Sequence, residues 1–107
     1  MDFEITPEQV KALTASDAKV TLLDVREPWE VQTASIAGSI LIPMGEVPVR
    51  AHAELDPEEH IVVFCHRGVR SMNVTQWLRQ QGFDKVQSMH GGIDQWSRTI
   101  DSKVPTY

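Results

Sequence analysis

A seven-residue segment in the second half of the chain brings together a thiol, two guanidinium groups and a glycine. The segment directly follows an apolar run at residues 61–64. A cysteine becomes reactive where cations and backbone N–H groups stabilise its thiolate. We therefore expect Cys65 to be the catalytic residue. The loop expected to bind its substrate consists of His66, Arg67, Gly68, Val69, Arg70 and Ser71.

Each part of this loop favours the ionised form of Cys65. Successive loop N–H groups and the positive end of the following helix stabilise an anion. Arg67 and Arg70 add charge and paired donors, and Gly68 permits the positive φ that turns several N–H groups toward one point. The alternative is an inert thiol at the end of a buried strand. That alternative gives no reason for two arginines and a glycine directly after it, so the sequence favours a reactive thiol.

Three further polar residues are candidates for the same site. Asp24 and Arg26 follow the apolar run 20–23 and are assigned to a possible site edge. They either form a structural ion pair or contact the substrate. His66 is either an acid–base group or a loop residue that mainly adds hydrogen-bond donors.

The charge balance excludes several classes of partner. The 107 residues include 10 Lys and Arg against 15 Asp and Glu, a net charge of -5. A negative overall field repels nucleic acid and anionic lipid, so we expect neither as a partner. No apolar run approaches the roughly 20 residues of a membrane span, and the first residues lack a basic secretion signal. These features predict a cytoplasmic protein.

The cysteine and histidine content argues against a disulfide framework and against a metal site. A single cysteine cannot form an internal disulfide. The four histidines do not match the ligand spacing of a known zinc pattern. We expect neither a metal nor another cofactor. The histidines are His52, His60, His66 and His90.

Short apolar strands alternate with helical patterns along the chain. Strands are predicted at 20–25, 40–42, 61–64 and 86–88, and helices at 7–16, 28–33, 44–54, 71–82 and from 91 to about 100. The 44–54 helix is expected to be loosened by Pro48, and residues 103–107 to form an irregular tail. This order predicts one α/β domain over 1–107, with a mostly parallel sheet of four or five strands and helices on both faces. Ligands of such sheets bind beyond the carboxyl ends of the strands, which places Asp24, Arg26 and Cys65 at one site.

Four segments in this order resemble the single-domain rhodaneses, the thiosulfate or persulfide sulfurtransferases. They are the LLDVRE run at 22–27, IAGSILIP at 36–43, the loop at 65–71 and GGIDQW at 91–96. The resemblance covers nearly the whole chain and implies a three-layer rhodanese fold. One departure is Ala34-Ser35, where many members carry Gly-His.

The resemblance also implies a reaction and its partners. Cys65 would accept a sulfane sulfur from a small donor as a persulfide, held by loop amides from His66 to Arg70. The sulfur would then pass to cyanide, a thiol or a protein acceptor. No cofactor is implied.

Two other functions share parts of this pattern. Phosphatase-like and arsenate reductase-like enzymes also use a cysteine thiolate, an amide cradle and an arginine, but they need five residues between the cysteine and the arginine. Here four residues separate Cys65 from Arg70, which predicts a smaller bowl suited to one sulfur atom. A non-catalytic binding module of the same fold usually lacks the cysteine. The sequence leaves the donor, the acceptor and the oligomeric state open.

Overall fold

The computed structural model describes all 107 residues and places one parallel sheet between two layers of helices. The strands are β1 (Glu4–Ile5), β2 (Val20–Asp24), β3 (Ile40–Leu41), β4 (His60–Phe64) and β5 (Val86–Met89). The helices are α1 (Pro7–Thr14), α2 (Pro28–Thr33), α3 (Val47–Glu54), α4 (Val69–Gln80) and α5 (Gly92–Thr99), with a 3-10 turn at Met44–Glu46 before α3. None of the helices combines the length and the apolar character that crossing a bilayer requires.

The strand order is β1-β5-β4-β2-β3, and every neighbouring pair is parallel. This confirms the predicted mostly parallel sheet of four or five strands. Asp24, the last residue of β2, pairs with Phe64, the last residue of β4. The residues after these strands therefore emerge side by side at the carboxyl edge of the sheet.

Side-chain alternation along β4 decides which layer the cysteine faces. Ile61, Val63 and Cys65 belong to a buried cluster with side chains of α3 and α4. Val62 and Phe64 belong to a second cluster, on the other face, with side chains of α1 and α5. Successive strand residues point to opposite faces, so Cys65 faces the layer that contains α4. The two clusters confirm the three-layer architecture.

Helix α1 begins as its sequence indicates. The Thr6 hydroxyl accepts a hydrogen bond from the Gln9 N–H at 3.1 Å, and the Gln9 side-chain oxygen accepts one from the Thr6 N–H at 3.0 Å. This reciprocal pair satisfies two backbone donors at the helix start. The helix ends at Thr14, two residues before the predicted end.

Other element boundaries differ from the sequence prediction, and one matters for the site. Helix α4 starts at Val69 rather than at Ser71, because Gly68 with φ 112° serves as its N-cap. Pro48 lies in the first turn of α3 and starts that helix instead of loosening it, since proline lacks only an N–H that has no partner there. Strand β1 was not predicted, because two residues are too short for a periodic pattern.

Candidate active site

Cys65 lies at the carboxyl end of β4 with its sulfur against the first turn of α4. The residue is 1% exposed. The Gly68 N–H donates to the Cys65 Sγ at 3.1 Å, and the Ser71 N–H donates at 3.4 Å. Both donors belong to the N-terminal end of α4, whose dipole favours negative charge on the sulfur. Of the loop residues from 66 to 71, Gly68 and Ser71 supply the amides that contact the sulfur itself.

The backbone of the loop is held by the start of α5. The Ile93 N–H donates to the Cys65 carbonyl at 2.9 Å, and the Asp94 N–H donates to the His66 carbonyl at 3.1 Å. These two bonds satisfy N–H groups that have no partner inside the helix. They also fix the loop backbone at Cys65 and His66 against the start of α5.

At Gly92, helix α5 packs directly against the backbone of the loop that begins at Cys65. This glycine has φ +61°, and a Cβ placed on it would lie 2.5 Å from the carbonyl oxygens of both Cys65 and His66. A Cβ cannot approach backbone atoms so closely, so the loop or the helix would have to move. Gly92 is therefore required for this packing of α5 against the loop.

Replacing Gly92 with alanine is expected to displace the loop. We expect a loss of more than about 1 kcal/mol in the free energy of unfolding, the scale for alanine at a positive φ, together with slower alkylation of Cys65. Urea unfolding and iodoacetamide labelling measure the two effects. Gly38→Ala is the matched control, because Gly38 has φ +84° but a Cβ added there would meet no atom within 4 Å. Equal alkylation rates in the two variants would contradict the proposed role of the contact.

Two buried serines lie beside the thiol. The Ser71 hydroxyl lies 3.5 Å from the Cys65 Sγ, shares a hydrogen bond of 2.7 Å with the Ser88 hydroxyl, and lies 3.2 Å from the Gly68 carbonyl oxygen. Both serines are fully buried. Ser71 was predicted as a loop residue, whereas Ser88 was missed. Its only signal in the sequence is a polar residue within the buried strand β5.

Asp24 and Arg26 form an internal ion pair. Both are buried, and the Arg26 Nη2 lies 2.7 Å from the Asp24 Oδ2. Arg26 also donates to the carbonyl oxygens of Glu30 at 3.2 Å and Ala34 at 2.8 Å. The guanidinium thus ties the end of β2 to α2 and to the residue that follows it. This geometry favours the structural interpretation of the pair over substrate contact.

Removing one member of this ion pair is expected to be costly. Arg26→Met leaves the Asp24 carboxylate buried without its partner, which typically destabilises a protein by about 3–5 kcal/mol. Urea unfolding of the purified variant measures the change. Arg50→Met is the control, because Arg50 makes comparable pairs with Glu46 and Glu54 on the surface and a much smaller effect is expected there. Similar losses in both variants would contradict the assignment.

The Ala34-Ser35 pair, which replaces the Gly-His of many rhodaneses, lies beside the hydrogen bonds of Arg26. Ala34 is buried and its backbone carbonyl accepts the bond from Arg26, while Ser35 is exposed. A backbone carbonyl is available whatever the side chain is. The hydrogen bond from Arg26 to this turn therefore does not require the Gly-His pair.

Arg70 is paired with a carboxylate that no sequence pattern indicated. Its Nη1 and Nη2 donate to the two carboxylate oxygens of Glu30 at 2.8 and 2.9 Å. The Glu30 side chain is 4% exposed and that of Arg70 is 30% exposed. This paired hydrogen bond holds the pKa of Glu30 down at about 2. Glu30 lies 40 residues from Arg70 in the chain, so no local pattern signals the contact.

Tyr107, in the irregular tail, packs against the loop and against Glu30. Its ring stacks on His66 with centroids 3.9 Å apart and planes 7° apart. Its hydroxyl donates to Glu30 at 2.8 Å and accepts from Arg26 at 3.0 Å. Burial raises the pKa of Tyr107, so the phenol stays protonated and able to donate. The tail is irregular as predicted, but the sequence did not reveal that it packs on the loop.

Two side chains of the loop are exposed, and two buried polar atoms, one in the loop and one in α5, have no hydrogen-bond partner. Arg67 is exposed, and Val69 is 74% exposed. The Nε2 of His66 and the Oδ1 of Asp94 are buried without a hydrogen-bond partner. No group of three or more His, Cys, Asp or Glu side chains is arranged to hold a metal ion.

The geometry and the sequence both match known proteins. The model of the rhodanese-like domain family matches residues 6–99. A chloroplastic rhodanese-like/PpiC domain-containing protein 12 of Arabidopsis thaliana is 40% identical over 89 residues, which are 80% of this chain but only 30% of that protein. A sulfurtransferase of Allochromatium vinosum is 33% identical over 95 residues, 89% of this chain and 88% of that protein.

A solved structure agrees with this match. The rhodanese-related protein of Thermoplasma volcanium superimposes with a TM-score of 0.82 at 31% identity, covering 91% of this chain and 92% of that one. The family model matches the greater part of the chain, including β2, the active loop and α5. The sequence resemblance, the parallel sheet and the cysteine loop at its carboxyl edge thus agree, and the chain belongs to the rhodanese-like domain family.

Proposed function

We propose that the protein is a sulfurtransferase that carries a sulfane sulfur on Cys65. The observation that carries this proposal is the pair of N–H donors from Gly68 and Ser71 on the Cys65 Sγ. The helix N-terminus stabilises a thiolate there, which is the attacking species in sulfur transfer. The relative from Allochromatium vinosum that spans most of this chain is named a sulfurtransferase.

The proposed reaction has two displacement steps. In the first, the Cys65 thiolate attacks the outer sulfur of thiosulfate or of an organic persulfide. The new S–S bond leaves a persulfide on Cys65, and sulfite or a thiolate departs with the electron pair of the broken bond. In the second, cyanide, a thiol or a protein acceptor attacks the outer sulfur and restores the Cys65 thiolate. The first product leaves before the acceptor reacts, as a double displacement requires.

The short loop favours this chemistry over phosphoryl transfer. Four residues separate Cys65 from Arg70, and both Nη groups of Arg70 are engaged by Glu30. An oxyanion enzyme needs an arginine fork that is free to bind two oxygens of its substrate. A purely structural module has no need of a thiol with two amide donors. Both alternatives are therefore less well supported than sulfur transfer.

Intact-mass spectrometry tests the proposal directly. The protein is incubated with thiosulfate or with an organic persulfide, desalted, and weighed before and after addition of cyanide. We expect one added sulfur atom, followed by its loss as thiocyanate forms. Failure of every donor to add sulfur to the folded protein would overturn the proposal. The partners expected are a small sulfur donor and a thiol or protein acceptor, and a cytoplasmic location stays a prediction.

A further inference from the structure

Two of the three arginines in the segments around the thiol are held in ion pairs with carboxylates. Arg70 is paired with Glu30, and Arg26 is paired with Asp24. Asp94 is paired with Arg98 at 3.1 Å, whereas Arg67 is exposed and forms no ion pair.

The balance of charge around Cys65 follows from these pairs. Asp24 and Glu30 neutralise Arg26 and Arg70. Arg67 is then the one loop cation without an ion pair, and the attacking Cys65 thiolate balances its charge. The whole chain carries a net charge of -5. Thiosulfate is a dianion whose charge is shared between the outer sulfur that is transferred and the oxygens on the neighbouring sulfur. A site with balanced charge provides little attraction for such a donor.

Glu30 is the group that decides this balance at the loop. Its carboxylate is almost fully buried and accepts hydrogen bonds from both Nη groups of Arg70, so Arg70 has no free fork for an anion. It also accepts hydrogen bonds from the Tyr107 hydroxyl and from the Glu27 N–H, both at 2.8 Å. Four donors therefore hold Glu30 in place. Because its pKa is about 2, Glu30 stays ionised at every pH used for assays.

Part of the surface around the loop is apolar and aromatic. Val69 is 74% exposed and directly precedes Arg70, and Trp29 is 62% exposed and directly precedes Glu30. Trp29 packs edge-on against Tyr107 at 6.0 Å between ring centroids, and Tyr107 stacks on His66. These side chains can pack against the carbon atoms of an organic persulfide but gain little from contact with the sulfonate group of thiosulfate.

We propose that Glu30 sets the donor specificity: by pairing with Arg70, it makes the site select an organic persulfide of low charge over thiosulfate. This inference rests on the proposed sulfurtransferase function. In the step it favours, the Cys65 thiolate attacks the outer sulfur of R–S–SH. The S–S bond of the donor breaks, RS⁻ leaves, and Cys65 keeps the sulfur and its proton as a persulfide. Glu30 acts through Arg70 and is a positioning residue.

The test compares two donors on the parent protein and on Glu30→Gln. The rate constant for loading Cys65 is measured by intact mass with thiosulfate and with the persulfide of 2-mercaptoethanol, whose body is uncharged. Freeing the charge of Arg70 is expected to raise the rate constant for loading by thiosulfate about 10-fold. The reason is the attraction between one unit charge and a dianion a few ångströms away. The organic persulfide constant is expected to change less than about 3-fold, because this donor carries at most one charge.

Two further variants separate charge from general disturbance. Glu27→Gln removes a carboxylate from an exposed residue at the start of the same helix and is expected to leave the ratio of the two constants near that of the parent. The double variant Glu30→Gln/Arg70→Gln restores the parent's local charge, so its ratio is expected to return toward the parent value. An unchanged ratio in Glu30→Gln, or an equal rise with both donors, overturns the inference.

The salt dependence of the parent protein provides a readout that does not depend on a folded variant. Between about 20 and 200 mM salt, screening removes most long-range attraction between a cationic site and an anion. We expect the rate constant for loading by thiosulfate to stay level or to rise over this range of salt concentration. A steep fall would show a cationic site and overturn the inference, while loading by either donor would leave the proposed function standing. Absence of loading by both donors would instead refute the proposed function.

Discussion

Cys65→Ser is expected to abolish sulfur transfer while leaving the fold intact. Serine is close in size to cysteine, and its hydroxyl can accept the bonds that the sulfur takes from Gly68 and Ser71. A hydroxyl is not ionised near neutral pH and cannot form a persulfide. Turnover should therefore fall by more than about 10³-fold, the scale on which loss of a catalytic nucleophile acts. Thiocyanate formation and intact mass measure the loss.

The single thiol makes this result simple to interpret. No second cysteine exists in the chain to take over the sulfur, so the variant should show no added sulfur mass with any donor. Circular dichroism and urea unfolding check that the variant is folded. Sustained turnover by a folded Cys65→Ser protein would rule out the persulfide mechanism.

Insertion of one glycine after Gly68 is expected to reduce sulfur transfer by at least about 10²-fold. The added residue places five residues between Cys65 and Arg70 instead of four and moves the start of α4 relative to β4. The Ser71 N–H, now 3.4 Å from the sulfur, would no longer reach it. Misplacing a donor by about 1 Å removes much of its effect on a developing charge. Thiocyanate formation measures the loss, and binding of phosphate or arsenate is expected to strengthen in the wider loop.

A glycine inserted after Gly38 is the matched control. Gly38 lies in an exposed turn with open space around it, and surface turns tolerate insertions well. Sulfur transfer should stay close to the parent rate in that variant. A folded loop-insertion variant that transfers sulfur at the parent rate would show that loop length does not select the substrate.

The sequence by itself determined the layered fold and the position of the thiol. Both depend on patterns that are local in the chain. Alternating strands and helices predict a parallel sheet, and the apolar run at 61–64 ends at Cys65, so the thiol must emerge at the carboxyl edge. The positive φ expected of Gly68 is also a local signal, and the structure has it at 112°.

Tertiary structure alone decided the electrostatics of the site. Glu30 and Arg70 lie 40 residues apart, and Tyr107 reaches Glu30 across 77 residues. Arg26 is buried in its ion pair with Asp24 and in hydrogen bonds to the carbonyl oxygens of Glu30 and Ala34, although its sequence position had suggested a site edge. Contacts of this kind arise only when the sheet order brings β2 beside β4. Whether an arginine is free to bind an anion or is neutralised by a buried carboxylate depends on those long-range contacts, because charge interactions depend on distance in space and not along the chain.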